Sequence, residues 1–385
     1  MNKRLGIATY FYFYNYGTML QGLATQLLFD RNEDIDAELI DYRFREQTHI
    51  SKSNLLLIRL KRLLVYIKEF RRVFYTVKYS SEMLRRNSLF DAFAQKNLKL
   101  SSARYLYESE LTANPPIYDI YLTGSDQTWS PKIGFSPALF LDFAPQTSVK
   151  AAYAPSLGVS ALTEDEATYL KNSLQKYDFL SCREALGSKL LEDITGRSVE
   201  TVLDPTLMIS SEDWSKYAIM PDIKGEYILC YFLGDRDYYR DYVKQLSKQT
   251  NLPLYYIPVN WKDFRKSNNL LWDVGPAEFL GLIANAKYVC TDSFHGTLFG
   301  INFHKEVRVF VKHKGNVAGG DNSRLFDIVN RLGIDNQLIT DYQSGADVSE
   351  AQIDYSIVDK NLCAEREKSM EYVKRIIKAG NGRDL

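Results

Sequence analysis

Strand-like runs followed by helical runs recur from one end of the chain to the other, and this alternation restricts the possible folds more than any other feature. The pattern begins with LGIATY before GTMLQGLATQLLF and restarts, after a polar break at residues 210–225, with EYILCYFL before RDYYRDYVKQLSKQT. Such alternation is typical of βαβ units and mostly parallel sheets. Because it occurs as two series, the sequence predicts an α/β protein with two Rossmann-like domains, residues 1–210 and 211–385, that face each other across a cleft. A last helical run, Glu365 to Ala379, predicts a C-terminal helix that packs back on the first domain.

The overall composition is that of an ordinary globular protein made and kept in the cytoplasm. The 385 residues are 45% hydrophobic, and 48 basic side chains balance 48 acidic ones, so no global charge argues for nucleic acid. The N-terminal apolar run is too short and too aromatic for a signal peptide, and no apolar stretch reaches the roughly 18 residues that span a bilayer. The cysteines are far apart and lie in or beside apolar runs, which predicts reduced, buried thiols without a disulfide or zinc site. They are Cys182, Cys230, Cys290 and Cys363.

One basic segment interrupts the alternation. Residues 55–87 contain nine Lys or Arg against two Glu, a net charge of +7, interleaved with apolar residues at helical spacing. A basic amphipathic helix of this kind can lie on an anionic membrane surface or bind a polyanionic or lipid-linked substrate. The alternative is a surface helix whose apolar stripe packs on the N-terminal domain. The sequence leaves both open, and with the first the protein would work at the inner face of the membrane.

The most informative junction is the stretch Tyr288 to Phe303, YVCTDSFHGTLFGINF. Its β-forming residues end at Thr291, Ser293 occupies an N-cap position, and His295 lies in the first turn of an apolar helix. Ligands of open α/β sheets bind at the carboxyl ends of strands, and helix N-termini attract anions. The junction therefore predicts that His295 meets an anionic ligand, although a hydrogen-bonded structural histidine would fit the same pattern.

A second junction, YNYGTMLQ, follows the first predicted strand. Gly17 permits a close backbone approach, and Thr18 can cap a helix that starts at Met19. The helix would then direct its first N–H groups at a ligand. A tight turn with no ligand is the alternative.

Two more strand ends carry candidate functional side chains. In LTGSDQTW, Ser125 and Asp126 offer a hydroxyl and a carboxylate, and Trp129 could form an apolar or sugar-stacking wall, whereas the alternative is an ordinary capped helix start. In SCRE, the planar fork of Arg183 suits a carboxylate or phosphate, and Glu184 could orient it. The alternative there is a surface ion pair.

Taken in order, the motifs NYGTMLQ, GSDQTW, AYAPSLG, SCRE, VLDPTL, TDSFHG and SRLFDIVNRLG resemble those of the polysaccharide pyruvyl transferase family. The resemblance covers about Leu5 to Gly333, and the combination of GSDQTW with TDSFHG is its specific part. It implies two Rossmann-like domains arranged as in B-type glycosyltransferases. It also implies phosphoenolpyruvate (PEP) as donor, a sugar of a cell-surface polysaccharide or its lipid-linked precursor as acceptor, and a ketal as product. No cofactor or metal is expected.

The resemblance assigns roles residue by residue. The late His of the family falls on His295, and its Arg before a Glu falls on Arg183. Many members carry an Arg two residues before that His, where this chain has Ser293, so Arg324, Lys312 or Lys314 would have to help bind the donor.

These considerations give an expected site. We expect His295 to act as acid or phosphate-side donor, Arg183 as clamp for a carboxylate or phosphate, and Asp126 as base or sugar-orienting group. The residues expected to bind the donor are Asn15, Gly17, Ser125, Ser293 and Arg324.

Two other functions fit the same pattern. A B-type glycosyltransferase would use a nucleotide sugar, with Asp292 or Asp321 as candidate donor contacts. A catalytically inactive protein of polysaccharide assembly would bind the lipid-linked sugar through the basic segment.

Overall fold

The computed structural model describes residues 2–43, 78–259, 263, 269–312, 322–342, 347–348 and 352–382, without the side chains of 381 and 382. Most of the basic segment, residues 55–77, therefore lies outside the described residues, as do Lys314 and Asp321.

The first domain is built on a five-stranded parallel sheet of order β3-β2-β1-β4-β5. This 3-2-1-4-5 order is that of dinucleotide-binding folds. β4 and β5 are buried at every position, as expected for strands covered by helices on both faces. The strands are β1 (Lys3–Ala8), β2 (Ile35–Tyr42), β3 (Leu100–Tyr105), β4 (Ile120–Thr123) and β5 (Val149–Ala152), followed by the short parallel pair β6 (Ser181–Cys182) and β7 (Glu200–Thr201).

The second domain contains another five-stranded parallel sheet, of order β12-β11-β10-β8-β9. Counted from β8, this is the 2-1-3-4-5 order of flavodoxin-like folds. The strands are β8 (Ile228–Tyr231), β9 (Leu254–Tyr256), β10 (Tyr288–Thr291), β11 (Glu306–Phe310) and β12 (Leu338–Ile339). The predicted α/β fold with parallel sheets is confirmed. The predicted boundary at residue 210 lies between the two sheets and stays a prediction.

Helices cover both sheets, and several of their ends have local causes. Thr163 caps its helix by accepting a hydrogen bond from the Glu166 amide, and Gly196 and Gly333 end theirs in the left-handed conformation. The helices are α1 (Tyr16–Asp30), α2 (Ser80–Asn97), α3 (Glu108–Ala113), α4 (Glu164–Leu174), α5 (Ala185–Thr195), α6 (Pro205–Met208), α7 (Ser211–Ser215), α8 (Asp237–Thr250), α9 (Pro276–Asn285), α10 (Phe294–Asn302), α11 (Ser323–Leu332) and α12 (Tyr355–Gly382).

Helices α1 and α12 connect the two domains. Tyr16 of α1 stacks on Phe279 of the second domain, with ring centroids 4.4 Å apart, and its hydroxyl donates to the Val274 carbonyl oxygen. In α12, the Tyr372 hydroxyl donates to the Ala152 carbonyl oxygen at the end of β5. The expected return of the C-terminal helix to the first domain is confirmed.

Residues 78–87 are the part of the basic segment that the structure describes, and two of their arginines contact the second domain. Arg86 donates to the carbonyl oxygens of Pro258, Leu271 and Trp272, and Arg85 pairs with Asp273. These two cations therefore bind the second domain. Within the described ranges, no helix is both long and apolar enough to cross a bilayer.

The cysteine prediction needs one correction. Cys182, Cys230 and Cys290 are buried, as expected, but Cys363 is exposed. Cys363 lies on a solvent-facing part of α12 with the exposed Ala364, whereas the adjacent Leu362 is buried.

Candidate active site

The switch points of the two sheets lie close together. Each parallel sheet has a place where the strand order reverses, and the loops that follow the strands there form a crevice. In the first sheet this place lies between β1 and β4, whose loops carry Gly17 and Asp126. In the second it lies between β8 and β10, and His295 follows β10. A Cβ atom built on Gly17 would lie 2.1 Å from Nδ1 of His295, so the start of α1 touches the start of α10.

Asp204 lies at the centre of the site and accepts hydrogen bonds from several directions. Its Oδ2 lies 2.8 Å from Nη1 of Arg183, 3.0 Å from Oγ of Ser125 and 3.5 Å from Nε2 of His295. At 3.5 Å the imidazole contact is electrostatic and is not a well-formed hydrogen bond. Its Oδ1 accepts from the amide and hydroxyl of Thr206, because Asp204 is the N-cap of α6.

The charge state of Asp204 follows from these neighbours. Burial alone would raise the pKa of this carboxyl, but the His295 imidazole and the Arg183 guanidinium hold the pKa well below its usual range. Asp204 is therefore an anion that joins the predicted histidine to the predicted arginine.

Arg183 is completely buried and only partly hydrogen-bonded. Its Nε and Nη2 atoms form the bidentate edge of the guanidinium and have no hydrogen-bond acceptor among the described residues. The nearest carboxylate oxygens are Oδ1 of Asp126, 3.7 Å from Nη2, and Oε2 of Glu184, 3.9 Å from Nε. Burial acts to lower the pKa of Arg183, but the surrounding carboxylates raise it, so the group stays charged. Among the described residues, this edge is therefore the part of Arg183 whose N–H groups have no acceptor.

Arg324 approaches the same site from α11. Both guanidinium groups lie over the Phe294 ring. The guanidinium carbon of Arg183 is 4.4 Å from the ring centroid, and that of Arg324 is 5.8 Å from it. Ser293, the position at which the resemblance implies an Arg, caps α10 by accepting from the Gly296 amide. The structure thus brings Arg324 to the region in which the sequence lacks the Arg.

Asp126 is held in an uncommon backbone conformation. Its φ is 73°, in the left-handed region that non-glycine residues rarely adopt. Its Oδ2 accepts from the Thr18 hydroxyl at 2.8 Å and its Oδ1 from the Gln127 amide at 2.9 Å. A strained residue at a switch point is typical of a functional position.

Several sequence predictions at the first two loops need correction. The cap of α1 is Asn15, which accepts from the Thr18 amide, and the helix starts at Tyr16 instead of Met19. Thr18 instead donates to Asp126. Gly17 permits a close approach as predicted, but the approaching group is the His295 ring. Trp129 is not an exposed wall, because it is fully buried and stacks on Phe140.

Glu184 contacts a different partner from the one expected. Its Oε1 accepts from the Ser156 hydroxyl and from the amides of Leu157 and Gly158. Glu184 therefore holds the AYAPSLG loop and makes no hydrogen bond with Arg183, since their nearest charged atoms are 3.9 Å apart.

Helix α11 holds the backbone at Arg183 and just after it. Arg331 donates to the Arg183 carbonyl oxygen at 3.1 Å, and Asp327 accepts from the Ala185 amide at 2.9 Å. Arg331 is in turn paired with Asp327 and with Glu365 of α12. The second domain thus positions an arginine that the first domain carries.

The main residue that the sequence did not assign is Asp204. Its motif, VLDPTL, contains an Asp before a Pro, which is a pattern of helix starts and so suggests a cap. That signal identifies the N-cap role of Asp204, but only the fold shows that Arg183 and His295 both approach its Oδ2.

Solved structures with a similar overall fold span most of the chain at low similarity. The UDP-GlcNAc 2-epimerase of Methanocaldococcus jannaschii is 11% identical, with a TM-score of 0.48, and the match covers 98% of this chain and 100% of that one. Anabaena HepE in complex with UDP and glucose is 10% identical, with a TM-score of 0.46 and coverage of 99% and 100%. The E. coli heptosyltransferase WaaC is 12% identical, with a TM-score of 0.38 and coverage of 85% and 99%. With TM-scores below 0.5, these similarities support no inference about activity.

Sequence comparison gives a more specific result. No curated protein matches the chain significantly. The family description "Polysaccharide pyruvyl transferase" matches residues 15–312. The matched range begins at Asn15 and includes Gly17 and the loops after β4, β6 and β10, whose residues form most of the site described above. The chain therefore belongs to the polysaccharide pyruvyl transferase family.

Proposed function

We propose that the protein transfers the pyruvyl group of PEP to two hydroxyls of one sugar in a cell-surface polysaccharide or its lipid-linked precursor. The products are a pyruvyl ketal and phosphate. The observation that supports this proposal best is the convergence of Arg183 Nη1 and His295 Nε2 on one oxygen of Asp204. An acid and an anion-binding group are the two elements that reaction at PEP requires.

The first step needs a proton on the methylene carbon of PEP. His295 is the proposed acid, since an imidazolium can deliver a proton to carbon and the ring packs with its Nδ1 side against Gly17. Asp204 holds the ring by its Nε2 side and compensates charge on the imidazolium. Protonation gives an oxocarbenium ion at the carbon that bears the phosphate.

The second step is attack by a sugar hydroxyl on that carbon. Asp126 is the proposed base, with its two carboxylate oxygens oriented by Thr18 and Gln127. Loss of phosphate then forms a second oxocarbenium ion, and the second hydroxyl closes the ketal. Of the two hydroxyl protons, one replaces the proton given to carbon and the other leaves with phosphate, so the reaction balances.

Binding of the anionic donor is assigned to the arginines. Asp204 already neutralises the Nη1 side of Arg183, so a carboxylate or phosphate of PEP would meet the Nε and Nη2 edge. Arg324 lies on the same Phe294 ring and would supply a second positive charge.

The nucleotide-sugar alternative gains no support from Asp292. This carboxylate is fully buried and accepts from the amides of Leu233 and Gly234 at 2.6 and 2.7 Å. Burial raises the pKa of Asp292. Asp292 holds the loop after β8, and both of its carboxylate oxygens already accept backbone hydrogen bonds, so it is not placed to bind a ribose.

The test is an incubation of the protein with PEP and lipid-linked oligosaccharides. We expect phosphate release and a mass gain of one carboxyethylidene unit on the sugar. His295→Asn should abolish both, whereas His304→Asn, at the other end of α10, should keep them. His304 is exposed and has a φ of 55°, a conformation that Asn tolerates.

Three results would contradict the proposal. They are release of nucleoside diphosphate from a nucleotide sugar in place of phosphate from PEP, full activity of His295→Asn, and stable PEP binding without turnover. The last would indicate a binding protein of polysaccharide assembly.

A further inference from the structure

The loop between β1 and α1 places a series of aromatic rings beside the candidate active site. This loop, residues 9–15, ends at Asn15, the cap of α1, two residues before Gly17, which touches His295. Its earlier part is Tyr10, Phe11, Tyr12, Phe13 and Tyr14, five aromatic residues in succession. The chain therefore passes directly from a set of rings to an active-site contact.

The rings form a continuous path that leads away from Asp126. Tyr10 is at the inner end, because the preceding residue, Thr9, donates its hydroxyl to the Ser125 carbonyl oxygen at 2.8 Å, next to Asp126. Burial raises the pKa of the Tyr10 hydroxyl, and the charge of Asp126 raises it further. The Tyr10 and Phe13 centroids are 5.6 Å apart, and those of Phe13 and Tyr12 are 4.5 Å apart. The Arg43 guanidinium carbon then lies 5.3 Å from the Tyr12 centroid. We name Tyr10, Tyr12, Phe13 and Arg43 the ring path.

The outer part of the ring path is open to solvent. Phe13 is 41% exposed although its neighbour Phe11 is 1% exposed. Exposing a large ring costs hydrophobic free energy that burial of the same ring would recover. Arg43, which lies over the Tyr12 ring, pairs with Asp41, and Asp41 also pairs with the exposed Arg104. A guanidinium therefore borders the rings, and a second one binds the same carboxylate.

Rings with flanking hydrogen-bond donors are suited to a carbohydrate. The apolar faces of sugar rings can cover aromatic rings, and the hydroxyls around their edge accept from guanidinium N–H groups. Membership of a polysaccharide-modifying family makes a glycan the expected ligand, and the inner end of the path leads to Asp126, the proposed base for the sugar hydroxyl.

We propose that the ring path is an acceptor-binding subsite for an oligosaccharide. The sugar that receives the pyruvyl group lies at Asp126, and the neighbouring sugars of the same glycan stack along Phe13 and Tyr12. This inference rests on the proposed function for the identity of the inner sugar. Binding of the glycan to the rings requires no donor and can be measured without PEP.

The experiment uses saturation-transfer NMR with soluble oligosaccharides of galactose, glucose, mannose or N-acetylglucosamine as probes. At least one of these probes should bind the wild-type protein. Phe13→Ala should weaken its affinity about tenfold, as for loss of one aromatic contact, and Phe13→Tyr should restore it. The matched control is Ile117→Ala, which removes an exposed apolar side chain just before β4. Ile117 lies at the amino end of that strand, whereas the candidate site lies at the carboxyl ends, so this variant should bind as the wild type does.

A second measurement separates this proposal from the proposed function. In the PEP assay, Phe13→Ala should raise KM for the acceptor and leave KM for PEP unchanged. Unaltered sugar affinity in Phe13→Ala, an equal loss in Ile117→Ala, or no binding of any probe to the wild-type protein would overturn the subsite. If instead sugar binding depends on Phe13 but PEP is not consumed, the subsite stands and the pyruvyl-transfer proposal fails.

Discussion

Replacement of Gly17 by Ala tests whether helix propensity or the close contact with His295 decides the effect of a side chain at this position. Gly17 is the second residue of α1, where Ala is the better helix former by up to about 1 kcal/mol. Local structure alone therefore predicts a more stable protein. The added Cβ would, however, lie 2.1 Å from Nδ1 of His295 and 2.5 Å from its Cγ.

The size of the conflict follows from these distances. A separation of 2.1 Å falls 1.3 Å short of the 3.4 Å at which ordinary contact begins. The start of α1 or the start of α10 must move by about that amount, because the neighbouring atoms belong to a ring fixed against Asp204. Overpacking of this kind costs about 1–3 kcal/mol, so we expect a net destabilisation of about 0–2 kcal/mol after the helix gain.

The effect on activity should be larger than the effect on stability. A displacement near 1 Å of a reacting group can cost about 100-fold in rate. We expect Gly17→Ala to lower kcat/KM for pyruvyl transfer by about that factor, with thermal unfolding changed by only a few degrees.

A matched control lies in the same helix. At Gly22 the nearest atom to an added Cβ is Cβ of Phe11 at 3.1 Å, and the next is 3.7 Å away, so Gly22→Ala should keep most of its activity. The reasoning would be refuted if Gly17→Ala were more stable than the wild type and equally active.

Two further variants test the groups around Arg183. Asp204→Asn leaves that buried guanidinium without its carboxylate and should lower the free energy of unfolding by about 3–5 kcal/mol at pH 7 in urea titrations, with loss of transfer. Because the native pKa of Asp204 lies below its ordinary value of 3.8, its stabilisation is complete above about pH 5 and is lost as the pH falls below 3.8. The difference in the free energy of unfolding between the wild type and Asp204→Asn should therefore become smaller in acid. A difference that stays constant with pH would contradict the assignment of Asp204 as a buried anion. Arg331→Gln should lower kcat about tenfold, because it releases the Arg183 backbone, and Arg331→Lys should restore part of the activity. Arg375→Gln, which breaks an ion pair between Arg375 and Glu200, should keep its activity. An equal loss in the Arg375 variant would argue against a positioning role for Arg331.

The sequence determined those features that depend on neighbouring residues. Alternating strand-like and helical runs were sufficient to predict two parallel-sheet domains, since the periodicity of apolar residues reflects local structure. The positions of Ser293 as a cap and His295 in the first helical turn followed from the same local rules. Asp126 and Arg183 were identifiable as candidates because each lies within three residues of the end of a strand.

Only the tertiary structure decided which of these residues act together. The strand orders place one switch point between β1 and β4 and the other between β8 and β10, and docking of the domains brings Gly17 against His295. The shared acceptor, Asp204, looks in the sequence like an ordinary helix cap. Its link to Arg183 and His295 depends on distances between segments up to 91 residues apart in the chain, which short-range patterns do not encode. Local preferences thus fixed the elements and the candidates, whereas the packing of helices and loops within and between the domains fixed the contacts and the geometry of the site.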